Sequence, residues 1–243
     1  MAFDRPDVVQ LVPGAPSYPE AVSMVFGRKS PALWALGNIG LLGLPGIGFC
    51  GSRKASEKGM ATATDCAEQA AANGFTVISG NAAGVDFFAH EAALRVGGCT
   101  VLVLPEGIDH FRIRKDLRAA WDWRRVLVLS QFPPDAAWQA YRAMERNALI
   151  VALSKAMIVI EAGATGGTLN AGLATLSAGK PLFVAVYEDM GGSAVGNAAL
   201  LERGGMPLAR SRTTGRANLE KVRAATQGFG VGIVPRGAQP ALL

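Results

Sequence analysis

The chain has 243 residues, of which half are hydrophobic and 30 are glycine, and it carries a formal net charge of +5. This composition excludes a disordered chain and favours a sizeable core whose elements are joined by tight turns. The longest apolar stretch, residues 39–50, is interrupted by Pro45 and four glycines, which excludes a membrane-spanning helix. The first residues lack the pattern of a secretion signal.

Short apolar runs alternate with helix-like segments along the chain. Their continuous hydrophobicity is typical of strands buried on both faces, as in a parallel sheet. The predicted strands are residues 47–50, 75–79, 100–104, 126–130, 157–161 and 181–186. The predicted helices are residues 60–72, 87–96, 136–154 and 168–178. The alternation predicts an α/β fold with a doubly wound, mostly parallel sheet and helices on both faces.

Composition divides the chain into three parts. Residues 1–45 are predicted to be an N-terminal helical lead-in, and residues 46–211 are predicted to form the α/β core. Residues 212–243 lose periodicity and hold five basic residues against one acid, so this predicted flexible tail carries +4 of the net charge. The rest of the chain is close to neutral, so the net charge alone is weak support for a nucleic-acid partner.

The cysteines and histidines bear on compartment and metal binding. The three cysteines are widely spaced without a CxxC pair, which argues against a disulfide framework and favours the reducing cytoplasm. With His90 and His110 as the only imidazoles, we predict neither a metal site nor a cofactor.

Three glycine-bearing turns follow predicted strands. They are Gly51-Ser52-Arg53, "SGNAAGVD" at residues 79–86 and "EAGATGGTLNAG" at residues 161–172. Ligands of open parallel sheets gather at the carboxyl ends of the strands, where such turns aim backbone N–H groups at an anion. One such turn is explained by geometry alone, whereas three at one edge indicate a phosphate-binding groove. None of the three turns matches the Walker pattern, and the dinucleotide-binding GxGxxG fingerprint is absent from the first βα turn.

Several charged residues allow two interpretations from the sequence alone. Arg53 is placed to clamp a phosphate, or to pair with Glu57 on the following helix. Glu161 is placed to contact a ribose, or is an ordinary residue at the sheet edge. Asp86 and His90 share a helical face, and we interpret them as a cap and a structural histidine rather than as catalytic groups.

The segment "HFRIRKDLRAAWDWRR", residues 110–125, combines basic and aromatic residues. Such a mixture suits a single strand, whose phosphates attract charge and whose bases stack on rings. Inward packing on a surface helix is the alternative, and we favour it for Trp121 and Trp123. For Arg112, Arg114 and Lys115 both interpretations stay open.

The motifs, in order, resemble those of the DNA-processing protein A family, also called DprA or Smf. They span residues 18–210 and include "YPEAV", "LWALGN", "CGSRKASEKG", "SGNAAGVDFFAHEAALRVGG", "VLVLPEGID", "LSQFPP", "ERNALIVALSKAMIVIEAGATGGTLNAGLA" and "GNAALLERGG". The resemblance implies an extended Rossmann-like domain that binds single-stranded DNA in a basic pocket. It also implies a homodimer that loads the RecA recombinase onto incoming DNA during natural transformation.

The resemblance implies a set of phosphate-binding residues in this chain. These are Gly51, Ser52, Arg53, Ser79, Gly80, Asn81, Arg146, Asn147, Gly166, Gly167 and Thr168. The chain departs from the family pattern at Ala148, which replaces the second arginine of an Arg-Asn-Arg motif, and at Gln131, His110 and Tyr187. The helical and winged-helix domains that flank the core in many members have no room, so we interpret the chain as a core-only, divergent relative.

Two functions follow as hypotheses. The first is a cytoplasmic protein that binds single-stranded DNA without acting on it chemically, with RecA as a partner. The alternative is a sensor or phosphoribohydrolase for a small nucleotide, in which residues 163–168 and Glu161 bind a phosphate and a ribose. Ala148 favours the nucleotide, and the basic segment favours DNA.

Overall fold

A computed structural model describes residues 5–188, 192–211 and 213–227. The strands within these ranges are β1 Val8–Leu11, β2 Leu33–Gly37, β3 Gly46–Cys50, β4 Thr76–Ser79, β5 Thr100–Val103, β6 Val126–Ser130, β7 Ala156–Val159, β8 Leu182–Ala185 and β9 Met206–Leu208. The α-helices are α1 Glu20–Phe26, α2 Glu57–Ala72, α3 Val85–Arg95, α4 Ala140–Leu153, α5 Gly167–Ser177, α6 Val195–Glu202 and α7 Glu220–Gln227. All six predicted strands are present.

The nine strands form one sheet in the order β1-β2-β6-β5-β4-β3-β7-β8-β9. Strands β3 to β9 run parallel to one another, whereas β2 pairs antiparallel with β6 and with β1. The chain moves outward from β3 through β4 and β5 to β6, and then returns through α4 to β7 on the other side of β3. The topological switch, where ligands bind in such folds, therefore lies between β3 and β7. This topology confirms the predicted fold class.

Both faces of the sheet are buried, which explains the continuous hydrophobicity of its strands. Successive residues of β7 alternate between two core clusters, with Met157 and Val159 in one, and Ala156 and Ile158 in the other. Helices pack on both faces, so each strand contributes side chains to two cores rather than to one.

The helix bounds differ from the prediction where side chains or loops intervene. Helix α2 begins three residues earlier than predicted, because Ser56 Oγ accepts a hydrogen bond from Gly59 N at 3.0 Å and caps it. Helix α4 begins four residues later, because backbone groups of residues 134–136 bond to Gly107 and Asp109 instead.

The N-terminal segment is not the separate helical lead-in that the composition predicted. Strands β1 and β2 extend the sheet, and Trp34 to Gly37 pair with β6. Leu33 and Val22 are fully buried in the same cluster as β6 and β7 residues. Residues 5–45 therefore belong to the core.

The prediction of a flexible tail does not hold for residues 213–227. Ala217, Leu219 and Val222 are buried in the core beside α2 and β7, and Arg216 bonds to Asp65 at 2.5 Å. Residue 212 and residues 228–243, the rest of the predicted tail, lie outside the described residues. No described helix has the length and apolarity needed to cross a membrane.

Candidate functional site

A cavity of about 350 Å³ opens at the carboxyl end of the sheet, beside the switch between β3 and β7. Elements that are distant in sequence line it: the turn after β3, the loop after β4, helix α4 and the first turn of α5. Six of the predicted binding residues lie in its wall, namely Gly51, Arg53, Arg146, Asn147, Gly167 and Thr168.

The turn after β3 packs closely against the start of α3. A Cβ on Gly51 would collide with Val85, and a Cβ on Gly84 would collide with the Ser52 carbonyl. Ser52 Oγ accepts a hydrogen bond from Lys54 N at 3.0 Å, and Ser52 O accepts one from Val85 N at 3.2 Å. Ser52 is thus occupied within the turn, and it presents the next residue, Arg53, to the cavity.

Arg53 is exposed and has no ion-pair or hydrogen-bond partner among the described residues. The predicted alternative, a pair with Glu57, does not occur, because no salt bridge between described residues involves either side chain. The five donors of its guanidinium are available to an anion.

Arg146 is buried, with 5% of its surface exposed, at the centre of the site. Its Nη1 donates to Val103 O, and its Nε donates to Asn147 Oδ1 at 3.3 Å. Burial lowers the pKa of the Arg146 guanidinium, and the nearby Asp86 carboxylate opposes this shift. No acid forms a salt bridge with Arg146 in the part of the chain that the structure describes. A buried guanidinium that is near one carboxylate but in no salt bridge keeps capacity to bind an anion.

Asn147 joins α4 to the start of α5. Its Nδ2 donates to Gly167 O at 3.1 Å, while its Oδ1 accepts from Arg146. Gly166 has a φ of 103°, and no side chain caps α5. The uncapped helix N-terminus, with its partial positive charge, therefore borders the same cavity as the two arginines.

The residues after β4 support the site more than they line it. Ser79 is fully buried, and its Oγ lies 2.7 Å from Phe49 O and 2.9 Å from Asp86 Oδ1, so it cannot meet DNA directly. Gly80 packs directly against the Arg146 guanidinium and Asp86. Asn81 O accepts from Arg114 Nη2 at 3.3 Å. Ala82 lines the cavity instead.

Glu161 does not offer its carboxylate to a ribose. It is 2% exposed, and it accepts hydrogen bonds from Ser56 N at 2.9 Å and from Ser56 Oγ. Gly59 of α2 packs directly against this carboxylate. Glu161 thus fixes the end of the Arg53 loop to the sheet, which removes one support for a nucleotide ligand.

In the basic segment, the aromatic residues pack inward. Trp121 is 4% exposed and contacts Phe111 and Trp123, with ring centroids 5.8 and 5.1 Å away. Arg114 lies over the Phe87 ring at 5.5 Å.

The remaining predicted basic residues of this segment do not line the cavity. Arg112 donates to the carbonyls of Asp109 and Phe111, at 2.7 and 2.8 Å, and Lys115 is exposed at the start of a 3₁₀ turn. With Arg114 they lie outside the cavity wall, beyond the loop after β4.

His90 has the structural role interpreted from the sequence, whereas Asp86 is not the cap of α3: the N-cap is Gly84, without a side-chain cap hydrogen bond, and Asp86 lines the cavity. Asp86, in the first turn of α3, accepts from Ala82 N at 3.2 Å. The His90 ring bridges Thr100 Oγ1 and Gly80 O, each at 2.6 Å, and burial lowers its pKa to about 4. The neutral ring therefore donates from Nε2 to the Gly80 carbonyl.

Sequence reasoning missed Trp138 and Met144, which line the cavity while remaining 48% and 52% exposed. A signal was available. Both residues precede the Arg146-Asn147 motif within nine positions, Met144 in the first turns of α4 and Trp138 just before the helix, and residues this near a binding motif are candidates for the same site.

The fold and the cavity define a Rossmann-like α/β protein with a cationic pocket at its topological switch. Comparison with known families agrees with this class. The model of the family described as DNA recombination-mediator protein A matches residues 10–214. Because this match covers most of the chain, the chain belongs to that family.

Curated relatives are similar over part of their length. Protein Smf from Escherichia coli is 33% identical over 154 residues, covering 63% of this chain and 41% of that protein. DNA processing protein DprA from Streptococcus pneumoniae is 30% identical over 188 residues, covering 77% of this chain and 66% of that protein. The chain thus spans less than two thirds of the length of either relative.

Two solved structures share the fold. The X-ray structure of DprA from Streptococcus pneumoniae has a TM-score of 0.74 at 28% identity, covering 83% of this chain and 71% of that one. A structure described as showing the single-stranded DNA binding mode of DNA processing protein A from Helicobacter pylori has a TM-score of 0.73 at 22% identity. That likeness covers 92% of this chain and 95% of the other.

Proposed function

We propose that this protein binds single-stranded DNA through its phosphates at the cavity beside β3 and β7. One observation carries the proposal: exposed Arg53 and buried Arg146, neither paired with an acid among the described residues, line one cavity with the N-terminus of α5. Two guanidinium groups and a helix terminus form a site for a polyanion. Family membership and the description of the Helicobacter pylori relative support the choice of DNA.

In this role the protein binds the strand and catalyses no reaction on it. Asp86 and Cys50 are the groups at the cavity wall that we consider as a base or nucleophile. The Asp86 carboxylate already accepts hydrogen bonds from Ser79 and Ala82. Burial, reinforced by Asp86, raises the pKa of the Cys50 thiol at the cavity wall to about 12, so the thiol stays protonated at neutral pH. A protonated thiol is a poor nucleophile, which supports a binding role.

The test is binding of oligo-dT, followed by fluorescence anisotropy over a series of salt concentrations. Arg53→Ala should weaken binding to every sequence by about tenfold, because one phosphate contact is lost. For the same reason, the slope of the logarithm of the binding constant against the logarithm of the salt concentration should decrease in magnitude by about one. Arg203→Ala is the matched control. Arg203 is an exposed arginine at the C-terminal end of α6 and does not line the cavity. A salt slope unchanged by Arg53→Ala would count against the proposed contact.

A small nucleotide is the competing ligand, and thermal unfolding distinguishes the two. Under the proposal, oligo-dT raises the unfolding temperature and nucleoside monophosphates at equal phosphate concentration do not. A rise in the unfolding temperature with the nucleotides alone would identify a small nucleotide, and not DNA, as the ligand.

We further propose that the protein acts as a homodimer in the cytoplasm and assists a RecA-type recombinase during DNA uptake. Membership of a family described as recombination mediators supports the recombinase, and the dimer is what the resemblance to that family implies. Cys50, Cys66 and Cys99 are free, which suits a reducing compartment. Light scattering tests the dimer, and RecA filament formation on DNA coated by a single-strand binding protein tests the assistance.

A further inference from the structure

Three large exposed side chains lie together at the start of α4. Trp138, Tyr141 and Met144 are 48%, 55% and 52% exposed. Trp138 lies two residues before α4, and Tyr141 and Met144 are three residues apart in its first turns, where such a spacing makes side chains neighbours. We call these three residues the α4 rim. Trp138 is the exposed member among the four tryptophans, since Trp121 is buried and Trp34 and Trp123 are half-buried.

The α4 rim is continuous with the cationic cavity. Trp138 and Met144 line the cavity together with Arg53 and Arg146. The chain therefore places an apolar, partly aromatic surface directly beside two guanidinium groups.

Arg142 adds charge to the rim and orients its aromatic part. Its guanidinium carbon lies 5.7 Å from the Tyr141 ring centroid and 5.4 Å from that of Phe132, and its Nη1 donates to Ala137 O at 2.5 Å. Glu145, the single acid of α4, does not line the cavity. The rim thus combines ring faces with positive charge, the two features that a single strand requires.

We propose that the α4 rim stacks nucleobases of the strand whose phosphates occupy the cavity, with Trp138 as the principal ring. This inference rests on the proposed function. Its occupant is the strand itself, because Trp138 and Met144 of the rim also line the cavity wall and because positive charge on both sides matches a polyanion. Stacking is tolerant of sequence, since every base has an aromatic face, so the rim adds affinity without base preference.

The test compares oligo-dT with an abasic oligonucleotide of equal length, which keeps the phosphates and removes the bases. Trp138→Ala should weaken oligo-dT binding about tenfold, the loss expected for one stacked base. The same substitution should leave binding of the abasic strand unchanged. Trp138→Phe, which keeps a ring, should retain affinity within about threefold. Val96→Ala, at an exposed apolar residue at the C-terminal end of α3, is the control and should change neither.

Tryptophan fluorescence supplies a second readout. Oligo-dT should quench the emission of the parent, the abasic strand should not, and the quenching should disappear in Trp138→Phe. Equal urea midpoints for parent and variants would show that the exposed position tolerates the changes.

Each outcome decides the matter. Equal affinity of the parent for both strands, with no effect of Trp138→Ala, overturns the stacking role and leaves phosphate binding intact. Failure of the parent to bind either strand overturns both proposals. Unchanged oligo-dT binding in Trp138→Ala, together with loss of self-association, assigns the rim to a protein interface and overturns base stacking.

Discussion

Arg53 and Arg146 contribute the same functional group to the cavity in opposite environments. Arg53 is exposed on a turn, so its charge attracts a strand at long range but its side chain loses rotamer freedom on binding. Arg146 is buried and already oriented by Val103 O and Asn147 Oδ1, so its ordering cost is met during folding. We expect Arg53 to contribute mainly to the salt dependence of binding and Arg146 to its geometry.

Gly80 tests the role of the buried arginine without removing it. A Cβ at this position would collide with the Arg146 guanidinium and with Asp86. Gly80→Ala should therefore destabilise the fold by about 2 kcal/mol and weaken oligo-dT binding by tenfold or more, because the guanidinium must move. Urea unfolding and anisotropy measure the two effects.

Gly43→Ala is the matched control for Gly80→Ala. No atom lies within 4 Å of a Cβ at Gly43, and we expect a change within about 0.5 kcal/mol. Equal behaviour of the two variants would contradict the tight packing on Arg146.

The helices around the cavity begin through two kinds of device, a side-chain cap and a glycine corner. Helix α2 is capped by Ser56, whereas α3 and α5 follow Gly84 and Gly166, which have φ values of 72° and 103°. At α5, where Gly167 lines the cavity, the glycine corner leaves the helix N-terminus open to an anion. At α3, Gly84 instead allows close packing on the Ser52 carbonyl, and Asp86 of the first turn lines the cavity. His90 on α3 then fixes the loop after β4 through the Gly80 carbonyl.

This link predicts a pH-dependent loss of stability. The pKa of His90 is lowered by burial to about 4, below the unfolded value of 6.5, so between these values the unfolded chain binds a proton that the folded chain refuses. The contribution of His90 to the free energy of unfolding should be fully present above pH 6.5, and about 3 kcal/mol of it should be lost as the pH drops to 4.

The measurement is urea unfolding at pH 7 and at pH 4.5. His90→Gln should show a smaller loss than the parent, because the ionisable ring is gone. His110→Gln, at the other and exposed histidine, is the control and should keep the parent profile. An unchanged profile in His90→Gln would show that carboxylates alone cause the acid sensitivity.

The sheet unites segments that the composition separated. Antiparallel β1 and β2 close one side of the parallel strands through β6, and the described residues after 212 cover the α2 face near β7. The cavity depends on this arrangement indirectly, because α1 packs on α4 and so supports the helix that carries Arg146. We expect the N-terminal segment to unfold together with the core.

Leu33→Ala tests this cooperativity. Leu33 is fully buried, so its truncation should lower the free energy of unfolding by about 2–5 kcal/mol. Tryptophan fluorescence and far-UV circular dichroism should report one coincident transition. Val9→Ala, at a half-exposed residue of the edge strand, should cost less than about 1 kcal/mol. A separate early transition in Leu33→Ala would show instead that residues 5–45 form an independent unit.

The residue pattern alone was sufficient to predict the parallel strands and the glycine corners that follow them. Continuous apolar runs arise when both faces of a strand are buried, and β4 to β8 have this pattern without exception. The corners at Gly51 and Gly166 were visible because a helix that follows a buried strand needs residues without side-chain bulk. Parallel topology then placed those corners at one edge.

Only the tertiary structure decided the roles of the polar side chains. Whether Arg53 pairs with Glu57, or Glu161 faces a ligand, depends on distances between segments a hundred residues apart, such as Ser56 and Glu161. The same holds for Trp121, which packs inward, and Trp138, which remains exposed beside the cavity. Local periodicity records which residues avoid water, but hydrogen bonds and ion pairs form between partners that only the folded chain brings together.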